Sequence, residues 1–126
     1  MDAPTVLIAE DDTSFRRVLD FQLTEAGYST TLAENGDEAL EQFLKLGHQV
    51  VLTDLKMPGI SGEELLKKII QASPNTPVII ITAYGSIRSA EEAVQLGAFQ
   101  YLTKPVDGNE LLHTIRNALK ARDSDA

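Results

Sequence analysis

Cysteine is absent from the 126 residues, which excludes disulfides, thiolate metal sites and cysteine nucleophiles and suits a reducing compartment. Long apolar runs are absent too. The longest purely aliphatic stretch, Val78 to Ile81, is far below the ~20 residues of a membrane span, and no basic-then-apolar signal pattern opens the chain. Basic residues are outnumbered, 11 against 19 acidic, for a formal charge of −8. With no segregated basic patch, such a surface repels nucleic acid phosphates, so direct binding of DNA or RNA is not expected. Internal repeats and low-complexity tracts are missing. His48 and His113 have no ligand partners in sequence and read as surface or internally satisfied residues. What is present, 43% hydrophobic residues, is enough for one ordinary core. The expectation is a soluble cytoplasmic protein with a single domain over residues 1–126, its core at about 5–121 and a frayed tail or linker start at 122–126.

Two kinds of segment alternate. Thr5–Ala9, Ser29–Leu32, Val50–Thr53, Val78–Thr82 and Gln100–Leu102 read as short strands, three of them nearly continuous in Val, Ile and Leu, as strands covered on both faces should be. Between them, apolar residues recur at helical spacing: Phe15, Val18, Leu19, Leu23; Ala39, Leu40, Phe43, Leu44; Leu65, Leu66, Ile69, Ile70; Leu111, Leu112, Ile115, Leu119. The pattern around Ile87, Ala90, Ala93 and Val94 is weaker and rich in alanine. Ser61 with Glu64 and Asp107 with Glu110 have capping-box spacing, and Gly27, Gly47 and Gly97 stand where helices should end. This predicts a (βα)5 chain. Alternating units of this kind require right-handed crossovers between parallel neighbours, hence an α/β, doubly wound, flavodoxin-like sandwich; its five-stranded parallel sheet is expected in the order 2-1-3-4-5.

In such sheets ligands bind beyond the carboxyl ends of the strands, where strand order reverses. Glu10, Asp11 and Asp12 follow the first strand, Asp54 the third and Lys104 the fifth, while Thr82 ends the fourth. Strands one and three are neighbours across the switch point, so Asp11, Asp12 and Asp54 are expected to converge. Three carboxylates in one cleft repel unless a cation joins them. All-oxygen ligation suits a hard ion, Mg²⁺ in particular, which keeps positions for water and phosphate oxygens. Lys104 and Thr82 would offer a charge and a hydroxyl to an anion beside Asp54. A phosphoryl group fits that company, and a carboxylate in line can attack it.

These residues, GluAspAsp at 10–12, AspLeuLysMetProGly at 54–59, ThrAla at 82–83, GlyAla at 97–98 and TyrLeuThrLysPro at 101–105, resemble the receiver domain of bacterial two-component response regulators from about Thr5 to Leu119. The resemblance implies that Asp54 is the phospho-acceptor, receiving phosphoryl from the phosphohistidine of a sensor histidine kinase. It implies Asp12 and Asp54 as Mg²⁺ ligands, with Asp11 bound directly or through water and the main-chain carbonyl of Lys56 completing the set. Lys104 would pair with phosphoryl oxygens, Thr82 would bond to one, and the amide of Ala83 would help. Glu10 and Tyr84 would tune the field, and Thr82 with Tyr101 would form the switch. Lys104–Pro105 resembles the family's cis peptide, and Met57, Pro58 and Gly59 read as turn residues.

The same resemblance implies a switch rather than a turnover enzyme, with phosphorylation and slow dephosphorylation as its own chemistry. The wording is most similar to receivers of enhancer-binding transcription activators, although Val106 stands where many of those have Phe. Expected partners are the kinase, meeting Ser14, Phe15, Val18 and Pro105–Val106, and an effector domain or downstream protein. The fourth helix, fifth strand and fifth helix would form the output face and a site for a phosphorylation-dependent homodimer, but Arg88, Glu91, Glu92, Arg116 and Lys120 leave it without a clear apolar patch. Two other classes compete. A phosphatase of the haloacid dehalogenase type usually has a second Asp two residues after its nucleophile, and here that place holds Lys56. A flavodoxin has a first loop rich in Ser, Thr and Gly, and here Glu10-Asp11-Asp12 would repel a cofactor phosphate.

Overall fold

The computed structural model describes residues 3–83 and 87–124. Strands β1 (Thr5–Ala9), β2 (Ser29–Ala33), β3 (Val50–Asp54), β4 (Val78–Thr82) and β5 (Gln100–Thr103) alternate with helices α1 (Thr13–Glu25), α2 (Gly36–Leu46), α3 (Gly62–Ala72), α4 (Ile87–Gln95) and α5 (Gly108–Ser124). All strand pairs are parallel, in the order β2-β1-β3-β4-β5, the flavodoxin-like arrangement expected from the alternation. Three strands run one residue further than the periodicity marked. One of these is β3, which includes Asp54 itself, paired in register with Ile81.

Side-chain alternation divides the core in two. Leu7, Ala9, Val51, Val78 and Ile80 face one side and pack on Ala39 and Phe43 of α2, Leu65, Leu66 and Ile69 of α3, and Ala90 and Ala93 of α4. Val6, Ile8, Val50, Leu52, Ile79 and Ile81 face the other and pack on Leu19 and Leu23 of α1 and Leu111, Ile115 and Ala118 of α5. A strand buried on both faces has no polar side, which is why the runs read as continuous.

Helix ends follow local chemistry. Asp12, Asn35 and Ser61 cap α1, α2 and α3, each accepting a backbone N–H three residues on. Asp107 Oδ1 accepts from Asn109 N and Glu110 N at 2.8 and 3.3 Å. Gly47 closes α2 at φ +67°, in the left-handed region where glycine carries no Cβ penalty. Helix α5 continues to Ser124, so residues 122–124 of the expected tail are helical. Once a long helix is docked, each added residue gains a hydrogen bond for little further ordering. Among the described residues no helix is long and apolar enough to cross a membrane.

Candidate functional site at the carboxyl ends of the strands

The reversal of strand order between β1 and β3 brings their carboxyl ends together. Asp54 is the last residue of β3, and its side chain is 13% exposed. Lys104 follows β5, and its backbone N–H donates to the Thr82 carbonyl at 2.8 Å, one rung beyond the Thr82–Thr103 pair, which holds it beside β4. Its ammonium donates to Asp54 Oδ2 at 2.8 Å and lies 2.8 Å from Glu10 Oε1. The backbone N–H of Lys56 donates to Asp54 Oδ1 at 3.3 Å.

Glu10, Asp11 and Asp54 each offer a carboxylate oxygen, all within 4.8 Å of one another. The third carboxylate of the cluster is thus Glu10, where Asp12 was expected. Asp12 is the N-cap of α1, and its Oδ1 accepts the Phe15 N–H at 3.0 Å. Glu10 still follows the sheet, its N–H donating to the Ala33 carbonyl at 3.0 Å, and its Oε2 accepts the Asp12 N–H at 3.0 Å. Two residues further on, the chain has turned into the helix, and the satisfied donor there belongs to the helix end.

Glu10 is 2% exposed. Burial raises its carboxyl pKa, and the Asp54 charge adds to this; Lys104 and the Asp12 amide oppose the rise without cancelling it. Burial alone would lower the Lys104 ammonium, but its contacts with Asp54 and Glu10 outweigh that and hold it above its ordinary value. Although Lys104 is 2.8 Å away, Glu10 Oε1 has no donor in hydrogen-bonding geometry among the described residues. Three carboxylates gathered within 4.8 Å of one another, with one ammonium between them, suit a hard cation with all-oxygen ligands.

Thr82 is fully buried at the end of β4, its hydroxyl donating to the Ala83 carbonyl at 3.3 Å. Ala83 is exposed at the same edge, and Tyr84 lies outside the described residues. Tyr101 is half-buried on β5 opposite Ile80, two residues before the Thr82–Thr103 pair, and packs on the α2–α3–α4 side of the core. The structure therefore brings Glu10, Asp11, Asp54 and Lys104 into one cleft and leaves Asp12 and Tyr101 outside it.

Three supports escaped the sequence reading. Arg16 is buried and donates from Nη1 to the Glu10 carbonyl at 2.8 Å, fixing the β1–α1 turn; its signal was its place on the stripe of Leu19 and Leu23. Asp37 Oδ2 accepts the Ile60 N–H at 3.2 Å and ties α2 to the loop after Asp54. Gly62 opens α3 against β3, where an added Cβ would run into the Asp54 carbonyl oxygen. The Asp37 contact joins segments 23 residues apart, and the Gly62 contact depends on how the loop after Asp54 folds back on β3, so neither had a local signal. His48, expected at the surface or satisfied, is 3% exposed and stacked on Phe43. Its Nε2 is 2.9 Å from Thr31 Oγ1, while Nδ1 has no partner among the described residues.

The chain matches the response regulator receiver domain over residues 6–116. It is 40% identical over 120 residues to the uncharacterized transcriptional regulatory protein YkoG of Bacillus subtilis (strain 168), covering 95% of this chain and 53% of that protein. It is 42% identical over 119 residues to the DNA-binding transcriptional regulator NtrC of Escherichia coli (strain K12), covering 94% of this chain and 25% of that one. The chain thus spans about half the length of the first relative and a quarter of the second. Among solved structures, a receiver domain protein from Clostridium thermocellum superposes with a TM-score of 0.94 at 32% identity, covering 98% of this chain and 99% of that one. A CheY-like receiver domain protein from Methanospirillum hungatei does so with a TM-score of 0.93 at 28% identity, covering 99% and 100%. A match that runs from the first strand into the last helix, on an architecture shared with solved receivers, makes this chain a member of the response regulator receiver domain family.

Proposed function

We propose that the chain is a phosphorylation-controlled switch in which Asp54 accepts a phosphoryl group from the phosphohistidine of a sensor histidine kinase. The observation that carries this reading is the pairing of Asp54 with Lys104 at 2.8 Å beside the carboxylates of Glu10 and Asp11. An Asp54 carboxylate oxygen attacks phosphorus, the bond from phosphorus to the donor nitrogen breaks, and its electron pair leaves with the imidazole. Lys104, already within reach of both acids, passes to the phosphoryl oxygens as negative charge moves onto Asp54. Glu10, Asp11 and Asp54, with the Lys56 carbonyl, would hold Mg²⁺, which when bound supplies charge neutralisation to the transferring group. These residues perform no turnover on metabolites in this reading, and Lys56 stands where a phosphatase of the dehalogenase type would need a second acid.

The output follows from the neighbours of Asp54. A phosphoryl group adds up to about two negative charges and three acceptor oxygens, enough to draw the Thr82 hydroxyl away from the Ala83 carbonyl. Space vacated by Thr82 would admit Tyr101, remodelling the face of α4, β5 and α5. There a groove of about 500 Å³ is lined by Val94, Tyr101, Thr103 and Glu110, a place for an effector domain, a downstream protein or a second copy. A transcriptional output of the enhancer-binding type and a cytoplasmic site of action are part of the same proposal, supported by the similarity to NtrC.

The test uses acetyl phosphate and Mg²⁺. The wild-type chain is expected to gain one acid-stable, base-labile phosphoryl group, and Asp54→Asn none. Labelling of the mutant at the wild-type level would remove Asp54 from the mechanism, and steady turnover of a generic phosphate ester would favour the phosphatase.

A further inference from the structure

Lys104 is held from more than one side. Two carboxylates lie 2.8 Å from its ammonium, and the ring of Phe15 lies under it, with Nζ 4.8 Å from the ring centroid. That separation is within the ~6 Å over which an aromatic face attracts a cation. Phe15 is itself placed firmly. It stands in the first turn of α1, its N–H donates to the Asp12 cap at 3.0 Å, and it packs on the α1–α5 side of the core together with Val106. Lysine has a flexible four-carbon stem, and here its side chain is 26% exposed. Its head therefore needs a rigid partner if it is to stay over the cleft when Asp54 exchanges its carboxylate oxygen for a bond to phosphorus. Asp54 cannot be that partner throughout, because it is the nucleophile, and Glu10 belongs to the acidic cluster that would hold the metal. The ring can, because the reaction leaves it unchanged.

We propose that Phe15 is a positioning residue for phosphoryl transfer to Asp54, its ring face holding the Lys104 ammonium at the mouth of the cleft and shielding one side of it from water. A charge shielded in this way acts more strongly on the phosphoryl oxygens than one in bulk solvent. The inference rests on the receiver reading above. It makes the rate of labelling depend on the electron density of the ring at position 15, beyond its volume.

The full chain carrying phenylalanine with one, two or three ring fluorines at position 15 separates the two, since fluorination drains the ring face while nearly preserving its shape. With acetyl phosphate and Mg²⁺, the rate of Asp54 labelling is expected to fall stepwise by about two- to fivefold across the series. Phe15→Tyr should stay near wild type, and Phe15→Leu should fall at least as far as the trifluoro chain. Equal rates across the fluorinated series overturn the proposal, including the case in which Phe15→Leu alone is slow, since Phe15 would then act only by packing. A wild-type chain that takes no label at Asp54 overturns the receiver reading and this inference with it, whereas a labelled wild type with a flat fluorine series overturns this inference alone.

Discussion

Two neighbouring acids two residues apart have different work because the chain bends between them. Asp12 caps α1, whereas Glu10 is buried against Lys104 and Asp54. In metal-free buffer Asp12→Ala is expected to lower stability by about 1 kcal/mol through loss of the cap. Glu10→Gln is expected to raise it, because burial and the Asp54 charge hold the Glu10 carboxyl pKa above its ordinary value. A raised carboxyl pKa means that ionised Glu10 opposes folding and that the penalty is relieved as pH falls through the folded value. Mg²⁺ affinity should sort the other way, weakened in Glu10→Gln and little changed in Asp12→Ala. Thermal melts in EDTA and a Mg²⁺ titration followed by tyrosine fluorescence check both; a stabilising Asp12→Ala with weakened Mg²⁺ binding would return Asp12 to the site. Sequence spacing placed all three acids at the correct strand end but could not say which would turn inward, since that depends on where β1 gives way to α1.

Signal transmission belongs to the elements. Strands β3 and β4 are buried on both sides and fixed in register, Asp54 opposite Ile81. Among the described residues helix α4 is the shortest helix at 9 residues, and of these only Ala90 and Ala93 are buried. Such a helix contributes little apolar area, so a rearrangement there costs less than one in α1 or α3. A few kcal/mol between two arrangements is enough for phosphorylation to shift their balance. Thr82→Ala is therefore expected to accept phosphoryl at Asp54 but to lose most of the change at Tyr101, read from ring NMR shifts with beryllofluoride as phosphoryl mimic. A Tyr101 that responds fully in Thr82→Ala would leave the phosphorylation site standing and sink this coupling route.

Across the whole molecule, pH sensitivity is also expected at the edge opposite the Asp54 cleft. His48 lies between α2 and β3 beside a cavity of about 230 Å³ lined also by Phe43, Ser73, Thr76 and Arg122. Burial holds its imidazole pKa below the ordinary 6.5. The stability that depends on its neutral form is complete above that unfolded value. It is lost as pH falls toward the folded one, because the unfolded chain takes up a proton that the folded chain refuses. Denaturant melts from pH 7.5 down to 5.5 should show His48→Gln with a flatter decline than wild type. The difference in slope can reach at most about 1.4 kcal/mol per pH unit for one proton. Parallel declines would show that His48 titrates alike in both states.

Period and punctuation in the sequence determined the five alternating units, their boundaries to within a residue or two, and the edge where chemistry gathers. These follow from hydrogen bonding and burial over a few neighbouring residues, which the chain expresses locally. Asp54, Lys104 and Thr82 were legible for the same reason, each standing at a strand end. Tertiary structure alone decided that Glu10 joins Asp11 and Asp54 while Asp12 caps a helix, and that Asp37 grips the loop after Asp54. It also seated Phe15 under an ammonium 89 residues further along the chain and left one buried nitrogen of His48 without a partner among the described residues. Each of those depends on the direction a side chain takes once strands and helices have packed, and the spacing of residues along the chain carries no record of it.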